Sequence, residues 1–215
     1  MNRIFLFFFL MMATFGFSQK SKINLDNIKK EIADKESDFY YEKMLFKYKA
    51  LPKSIDSIEA KHLYYGRAFL EKTVSTSDDE FKKLLKDFNK KNYPETIAKT
   101  RDLLAKDPTN LDLLMIMLQC YDKLQDVKNF SYYLSQFKLL TSAILDSGDG
   151  KSEDSAYVVN SVGDEYILIN VIQIPRQASR SSKPATGGMF DIWENNNTKT
   201  YIKVIYNDLM ESKFR

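Results

Sequence analysis

The sequence predicts an α+β fold: an N-terminal helical region built of helical hairpins, then a small, mainly antiparallel sheet with one or two helices. Three observations carry this. Residues 24–146 place apolar side chains at helical spacing almost without interruption. After residue 147 Gly, Ser and Asn become frequent and β-branched residues cluster. Near the end, "MFDIWENNN" and "KTYIKVIYN" read as two strands joined by an Asn-rich turn. The expected organisation is a signal peptide at 1–18, a helical region at 19–146 and an α+β region at 147–215.

The leader comes first. Arg3 precedes an apolar run from Ile4 to Phe17, and the small residues Gly16 and Ser18 stand at −3 and −1 for cleavage before Gln19. The run is short for a membrane span of roughly 20 residues. No cysteine lies near residue 19, so no lipid anchor is expected there, and no stable membrane anchor after cleavage. The expected location is the periplasm or the outside of the cell. Without Arg3 the remainder carries 31 basic residues (32 less one) against 29 acidic ones. That balance gives no electrostatic reason to expect nucleic acid. The lone Cys120 can form no internal disulfide, so packing alone must hold the fold.

Asn24 is placed to cap a helix over 25–34. Ser37 opens a second, with Tyr41, Met44, Leu45 and Tyr48 on one face. Pro52 breaks it and Ser54 is expected to cap the next, whose stripe is Ile55, Ile58, His62, Tyr65 and Phe69. Ser77 with Glu80 reads as a capping box before Phe81, Leu84, Leu85 and Phe88. Pro94 sits near the start of the following helix, where its missing amide costs little. "KDPTN" turns the chain into a helix striped by Leu111, Leu114, Met115, Leu118 and Tyr121. A turn at Gln125-Asp126 leads to another with Phe130, Tyr133, Leu134, Phe137, Leu140 and Ile144 aligned. Tyr93 and Val127 stand 34 residues apart, each just inside a helix start. This segment resembles one and a half tetratricopeptide repeats, with Met117 and Cys120 where small residues are usual. Three ordinary antiparallel helices are the alternative.

Beyond 147, "AYVVN" reads as a strand. "GDEYILINVIQ" is apolar almost continuously, so periodicity leaves strand and buried helix open. "RQASRSSKPATGG" is polar with room for a short edge strand. In the last strand Tyr201, Lys203 and Ile205 face one way, and Ile202, Val204 and Tyr206 the other. Asn207 and Asp208 are expected to cap a final helix.

The stretch "ILDSGDGKSEDSAY" (144–157) invites two chemical readings. A phosphate loop ending at Gly150-Lys151-Ser152 needs Gly at 145, which is Leu145, and should run from strand into helix rather than the reverse. A calcium loop with Gly150 as its sixth residue needs acids at 145 and 156, which are Leu145 and Ala156. A looser calcium site from Asp146, Asp149 and Asp154 stays open as a minor alternative. The structural reading covers more: Gly148 with positive φ ends the helix, Gly150 permits a second turn, and Asp149 and Ser152 bond nearby amides. Gly148, Asp149 and Gly150 are therefore expected to form a joint between the two regions.

With "HLYYGRAF" (62–69), the segment "ILDSGDGKSEDSAYVVNSVGDEY" (144–166) resembles a family of exported bacterial proteins, domain of unknown function 4919. The likeness is carried by Tyr64-Tyr65-Gly66, by Ser147 to Gly150, and by Ala156, Glu165 and Tyr166. The family's next segment often holds a further aromatic residue and a Pro/Tyr-rich loop; here Arg67 follows Gly66 and the loop has neither. The resemblance implies export and a helical-then-α+β layout, and brings no activity.

His62 lies on an apolar stripe and reads as a core histidine. One His and one Cys are too few for zinc, and no nucleophile elbow is present. No cofactor is expected. The basic amphipathic stretch 81–91 reads as a solvated face, with membrane contact as the lesser alternative. The cluster Tyr40, Tyr41, Tyr64 and Tyr65 reads as core packing, with an interface as the lesser alternative. The favoured function is a module that binds an envelope protein or peptide, with Tyr64, Tyr65 and Arg67 as its candidate contact residues. The alternative is a hydrolase using carboxylates in a cleft between the regions. A concave groove with exposed tyrosine would favour the first, and two converging buried carboxylates in a closed pocket the second.

Overall fold

The computed structural model describes residues 23–205. Asn24 caps α1 (Leu25–Ala33) by accepting a bond from the Asn27 amide at 3.0 Å. α2 (Tyr41–Ala50) buries Tyr41, Met44, Leu45 and Tyr48, the expected face. Its start falls later than expected: Ser37 accepts the Phe39 amide in a preceding turn and caps nothing helical. A short 3₁₀ turn at Pro52–Ser54 leads to α3 (Ser57–Gly66). Asp56, not Ser54, caps it, in a reciprocal box with Glu59. The buried face of α3 also differs: Ile58 is 54 % exposed, while Ala60, Leu63 and Tyr64 join His62 and Tyr65 inside. The helix is covered on more than one side, so a single stripe under-describes it.

A 3₁₀ turn, Arg67–Phe69, and a loop precede α4 (Asp79–Asn89). Here Asp78 takes the capping position, its carboxylate turned back to the Ser75 amide at 2.8 Å, so the expected Ser77–Glu80 box does not form. Phe81 and Leu84 are buried; Leu85 is on the surface side. Then α5 (Tyr93–Lys106), α6 (Leu111–Lys123) and α7 (Val127–Leu145) pack in succession. α6 is central. It buries eight residues around its circumference and meets α5, α7 and the later helix α8 (Val162–Val171).

The sheet has the order β1-β4-β3-β2, from β1 (Tyr157–Val159), β2 (Ser179–Ala185), β3 (Gly188–Asn195) and β4 (Thr198–Ile205). β2–β3 and β3–β4 are antiparallel and β1–β4 is parallel, so the sheet is mixed. Asn196 and Asn197 both have positive φ, 48° and 62°, as a two-residue hairpin turn demands. β2, with Lys183 and Pro184, is the exposed polar edge. The ambiguous apolar segment is the helix α8, capped by Ser161, whose Oγ accepts the Asp164 amide at 3.0 Å. Ile202 and Val204 are buried, and Ile205 closes over at the strand end. The expected final helix at 207–208, the leader and Tyr206 lie outside the described residues.

At the stretch expected to form the joint, the role of Gly148 is corrected. Gly150 has φ of 70°, and the amides of Asp149 and Gly150 both donate to the Ser155 carbonyl. Gly148 does not have positive φ; it is glycine because the chain passes too close. A Cβ there would lie 2.3 Å from the carbonyl oxygens of Ser155 and Ala156. The Gly150 carbonyl in turn accepts the Tyr201 amide, tying the joint to β4.

Candidate functional site

The predicted contact residues lie inside the protein. Tyr64 and Tyr65 have no exposed surface. The Tyr64 hydroxyl donates to Asp164 Oδ2 at 2.8 Å and accepts the Asn160 amide at 3.0 Å; the Asn160 side-chain amide donates to the Tyr64 carbonyl at 2.6 Å. The Tyr65 hydroxyl donates to the Val158 carbonyl at 3.0 Å. Neither tyrosine can meet a partner. They suture the helical region to β1 and α8. The apolar stripe that marks a tyrosine as buried says nothing of where its hydroxyl goes, and that hydroxyl needs a partner when buried.

Arg67 is likewise structural in its main contacts. Its Nε and Nη2 grip the Asp107 carboxylate at 2.8 and 2.6 Å, and Nη2 donates to the Val74 carbonyl. Asp107, with a fully buried side chain, also accepts the Val74 amide and the Asn110 side-chain amide. This clamp fixes the loop before α4 and the turn between α5 and α6.

Next to the clamp lies a pocket of about 200 Å³, walled by Arg67, loop 73–76 and the first residues of α6 and α8. Asp112 and Asp164 both line it. Burial raises the pKa of Asp112 above the usual carboxylate range. Burial likewise pushes Asp164 up to about 6, against the opposing pull of Arg67 and the Tyr64 bond. Asp112 makes no hydrogen bond or ion pair among the described residues, and Gly163 leaves room for it: a Cβ there would stand 2.7 Å from Asp112 Oδ2. Asn160, also in the wall, is 7 % exposed, and its Oδ1 has no partner.

The sign of the Asp164 shift fixes a pH dependence. The folded state holds this proton more tightly than the unfolded chain, so the associated stability is present below about pH 4 and is lost as pH rises through about 6. The full effect is about 3 kcal/mol. Urea unfolding between pH 4 and 7 is expected to show this component in the wild type and lose it in Asp164→Asn. Identical pH profiles for the two proteins would refute the assignment.

A second acidic cluster sits between α8 and the sheet. Glu165 accepts the Trp193 indole N–H at 2.7 Å, and Arg180 Nη2 bridges Glu165 and Asp191 at 2.9 and 2.7 Å. Ser182 donates to Asp191. Burial, with repulsion from Asp191, raises the Glu165 pKa; the Trp193 bond opposes it. Both carboxylates converge, yet Arg180 and Trp193 fill the space between, so this is a clamp of α8 on β2 and β3.

His62 is held as expected for a core residue: Nδ1 donates to the Ile58 carbonyl, Nε2 contacts Glu31, and the ring stacks on Phe39. Among the described residues no three His, Cys, Asp or Glu side chains gather as a metal ligand set, which removes the loose calcium reading of Asp146, Asp149 and Asp154. No helix of the described residues is long and apolar enough to cross a membrane.

A shallower groove of about 300 Å³ runs between α2, α5 and α7, lined by Tyr48, Lys49, Arg101, Tyr132, Tyr133 and Gln136, among others. Tyr132 is 36 % exposed and donates to the Lys49 carbonyl. The Tyr48 hydroxyl is buried without a partner. Sequence reasoning placed Tyr48 and Tyr133 on inward stripes and passed over Tyr132. The Tyr132-Tyr133 pair, one more exposed than the other on a long amphipathic helix, was the available signal.

These features define a class: a helical α+β protein whose terminal mixed sheet is stitched to the helices by interior tyrosines and buried ion pairs. Within that class the chain belongs to the family described as Domain of unknown function (DUF4919), whose model matches residues 26–214. No curated protein and no solved structure matches it.

Proposed function

We propose that the protein is an exported binding module of the cell envelope that engages an acidic peptide segment through the tyrosine-lined groove on α2, α5 and α7. The observation that carries this is the grouping of Tyr132, Tyr133, Arg101 and Lys49 around one concavity. Tyrosine supplies large contact area at low entropic cost and Arg pairs with carboxylates. The two cations there, both on the surface, select a partner of negative charge. The 34-residue spacing of α5 and α7 resembles that of tetratricopeptide repeats, which suits the same use. Export rests on the leader pattern before Gln19.

The test is fluorescence anisotropy with extended peptides of seven to nine residues, acidic against basic, on the purified protein. Acidic peptides are expected to bind at least about tenfold tighter, an advantage that salt erodes and that Arg101→Ala and Tyr132→Ala remove without loss of helical circular dichroism. Equal binding of both charge classes, or binding untouched by either substitution, would sink the reading.

The second reading is a carboxylate hydrolase at the pocket between the regions. One observation favours it: Asp164 is raised to about 6 by burial and lies beside a second raised carboxylate, Asp112. Paired acids with displaced pKa values suit acid–base chemistry. Screening chromogenic glycosides and esters at pH 5 to 7 tests it; turnover lost in Asp164→Asn would support it, and no turnover above the Asp164→Asn protein would remove it.

A further inference from the structure

We infer that the pocket between α6 and α8 is a binding site for a small molecule bearing a primary ammonium group. Two acceptor groups in the pocket wall lack donors, the Asp112 carboxylate and Asn160 Oδ1. The Asp112 carboxylate is partly buried and has no hydrogen bond or ion pair among the described residues. Asn160, 7 % exposed, presents an amide whose donor side is used on the Tyr64 carbonyl while Oδ1 has no partner. Asp164 stands in the same wall, its carboxylate held by the Tyr64 and Ser161 hydroxyls and adding negative charge to the site.

A buried acceptor without a partner costs about 1–3 kcal/mol, so Asn160 Oδ1 in the same wall as the unbonded Asp112 carboxylate asks for a donor from outside. An ammonium group offers three donors and a charge opposite to that of Asp112 and Asp164. A hydroxyl offers one donor and no charge. Anionic ligands face two carboxylates and are disfavoured. Arg67 in the same wall commits Nε and Nη2 to Asp107 and Val74 and makes no hydrogen bond to Asp112. A metal ion is the other cationic candidate, but too few ligating side chains gather here among the described residues.

Size narrows the class. A cavity of roughly 150 Å³ accommodates a six-carbon ring, so about 200 Å³ holds a molecule of similar or slightly larger size. The exposed hydroxyls of Thr73 and Thr76 at the rim suit hydroxyl groups on the same ligand. The class is therefore a small amino alcohol or amino-bearing residue. The inference holds whether the bound molecule is cleaved or only held, and it is independent of the peptide groove.

The experiment is saturation-transfer NMR and thermal shift on the full protein. The probes are 5-amino-1-pentanol, its N-acetylated form, 1,5-pentanediol and calcium ion. The amino alcohol is expected to bind, and the acetylated form and the diol to bind at least tenfold more weakly. Asp112→Asn keeps the shape of the side chain and removes its charge; because Asp112 holds no partner, the variant is expected to fold and to lose binding about tenfold or more. Gly163→Ala, which crowds Asp112, is expected to weaken binding in the same direction. Three results would overturn the inference: no binding of the amino alcohol, equal binding of the amine and its acetylated form, or unchanged binding in a folded Asp112→Asn. A response to calcium alone would assign the pocket to a metal instead.

Discussion

Arg67→Ala is expected to destabilise the protein by about 3–5 kcal/mol, the usual cost of removing one partner from a buried, hydrogen-bonded ion pair. The substitution strands the fully buried Asp107 carboxylate, which loses the Nε and Nη2 bonds and keeps only the Val74 amide and the Asn110 side-chain amide. In a domain of this size the melting midpoint should fall by roughly 10 °C. Arg67→Lys should recover only part of the loss, since an ammonium cannot make the paired contact that the guanidinium makes. Denaturant unfolding of the three proteins checks this. A loss below about 1 kcal/mol for Arg67→Ala would show that the clamp contributes little.

Gly148→Ala is expected to cost at least about 3 kcal/mol, by overpacking against atoms that cannot yield. The new Cβ meets two backbone carbonyl oxygens at 2.3 Å, so relief requires moving the start of β1 away from the end of α7. Gly187→Ala is the matched comparison. That residue has φ of 69° but open space around it, so only the backbone cost of about 1–2 kcal/mol applies. A similar small loss at both positions, in thermal or urea unfolding, would refute the close-approach account of Gly148.

α2 was legible because it exposes one face and buries another: Tyr41, Met44, Leu45 and Tyr48 could be read off directly. The hairpin was legible from its asparagines. α8 was not, because burial on several sides erases periodicity; Ser161, three residues before Asp164, was the capping signal that could have settled it. Helix starts slipped where two capping residues compete, as with Ser77 and Asp78. The candidate pocket was not legible in the sequence. Its residues come from positions as distant as Arg67, Asp112 and Asp164, and no spacing rule joins these. The same holds for Arg67 and Asp107: within "KDPTN" the aspartate looks like turn chemistry, and only the folded chain gives it a buried cation. Tyr64 and Tyr65 are core residues, as expected of their cluster, and only their candidacy as contacts fails, because an aromatic pair looks alike in a core and at an interface.

The sheet order carries a consequence for the way the chain assembles. β4 is the last strand in the described sequence, yet it occupies an interior position, between β1 and β3. Tyr157 pairs with Ile202, which lies 45 positions further along the chain (202 less 157). During synthesis, every earlier element can be present while β1 and β3 still show unpaired edges. Such edges are templates for wrong pairing, and contacts this distant in sequence form slowly. The final strand thus acts as a latch. A chain halted before Thr198 would keep its helices and lack a closed sheet, leaving it open to capture by any strand or chaperone that reaches it first.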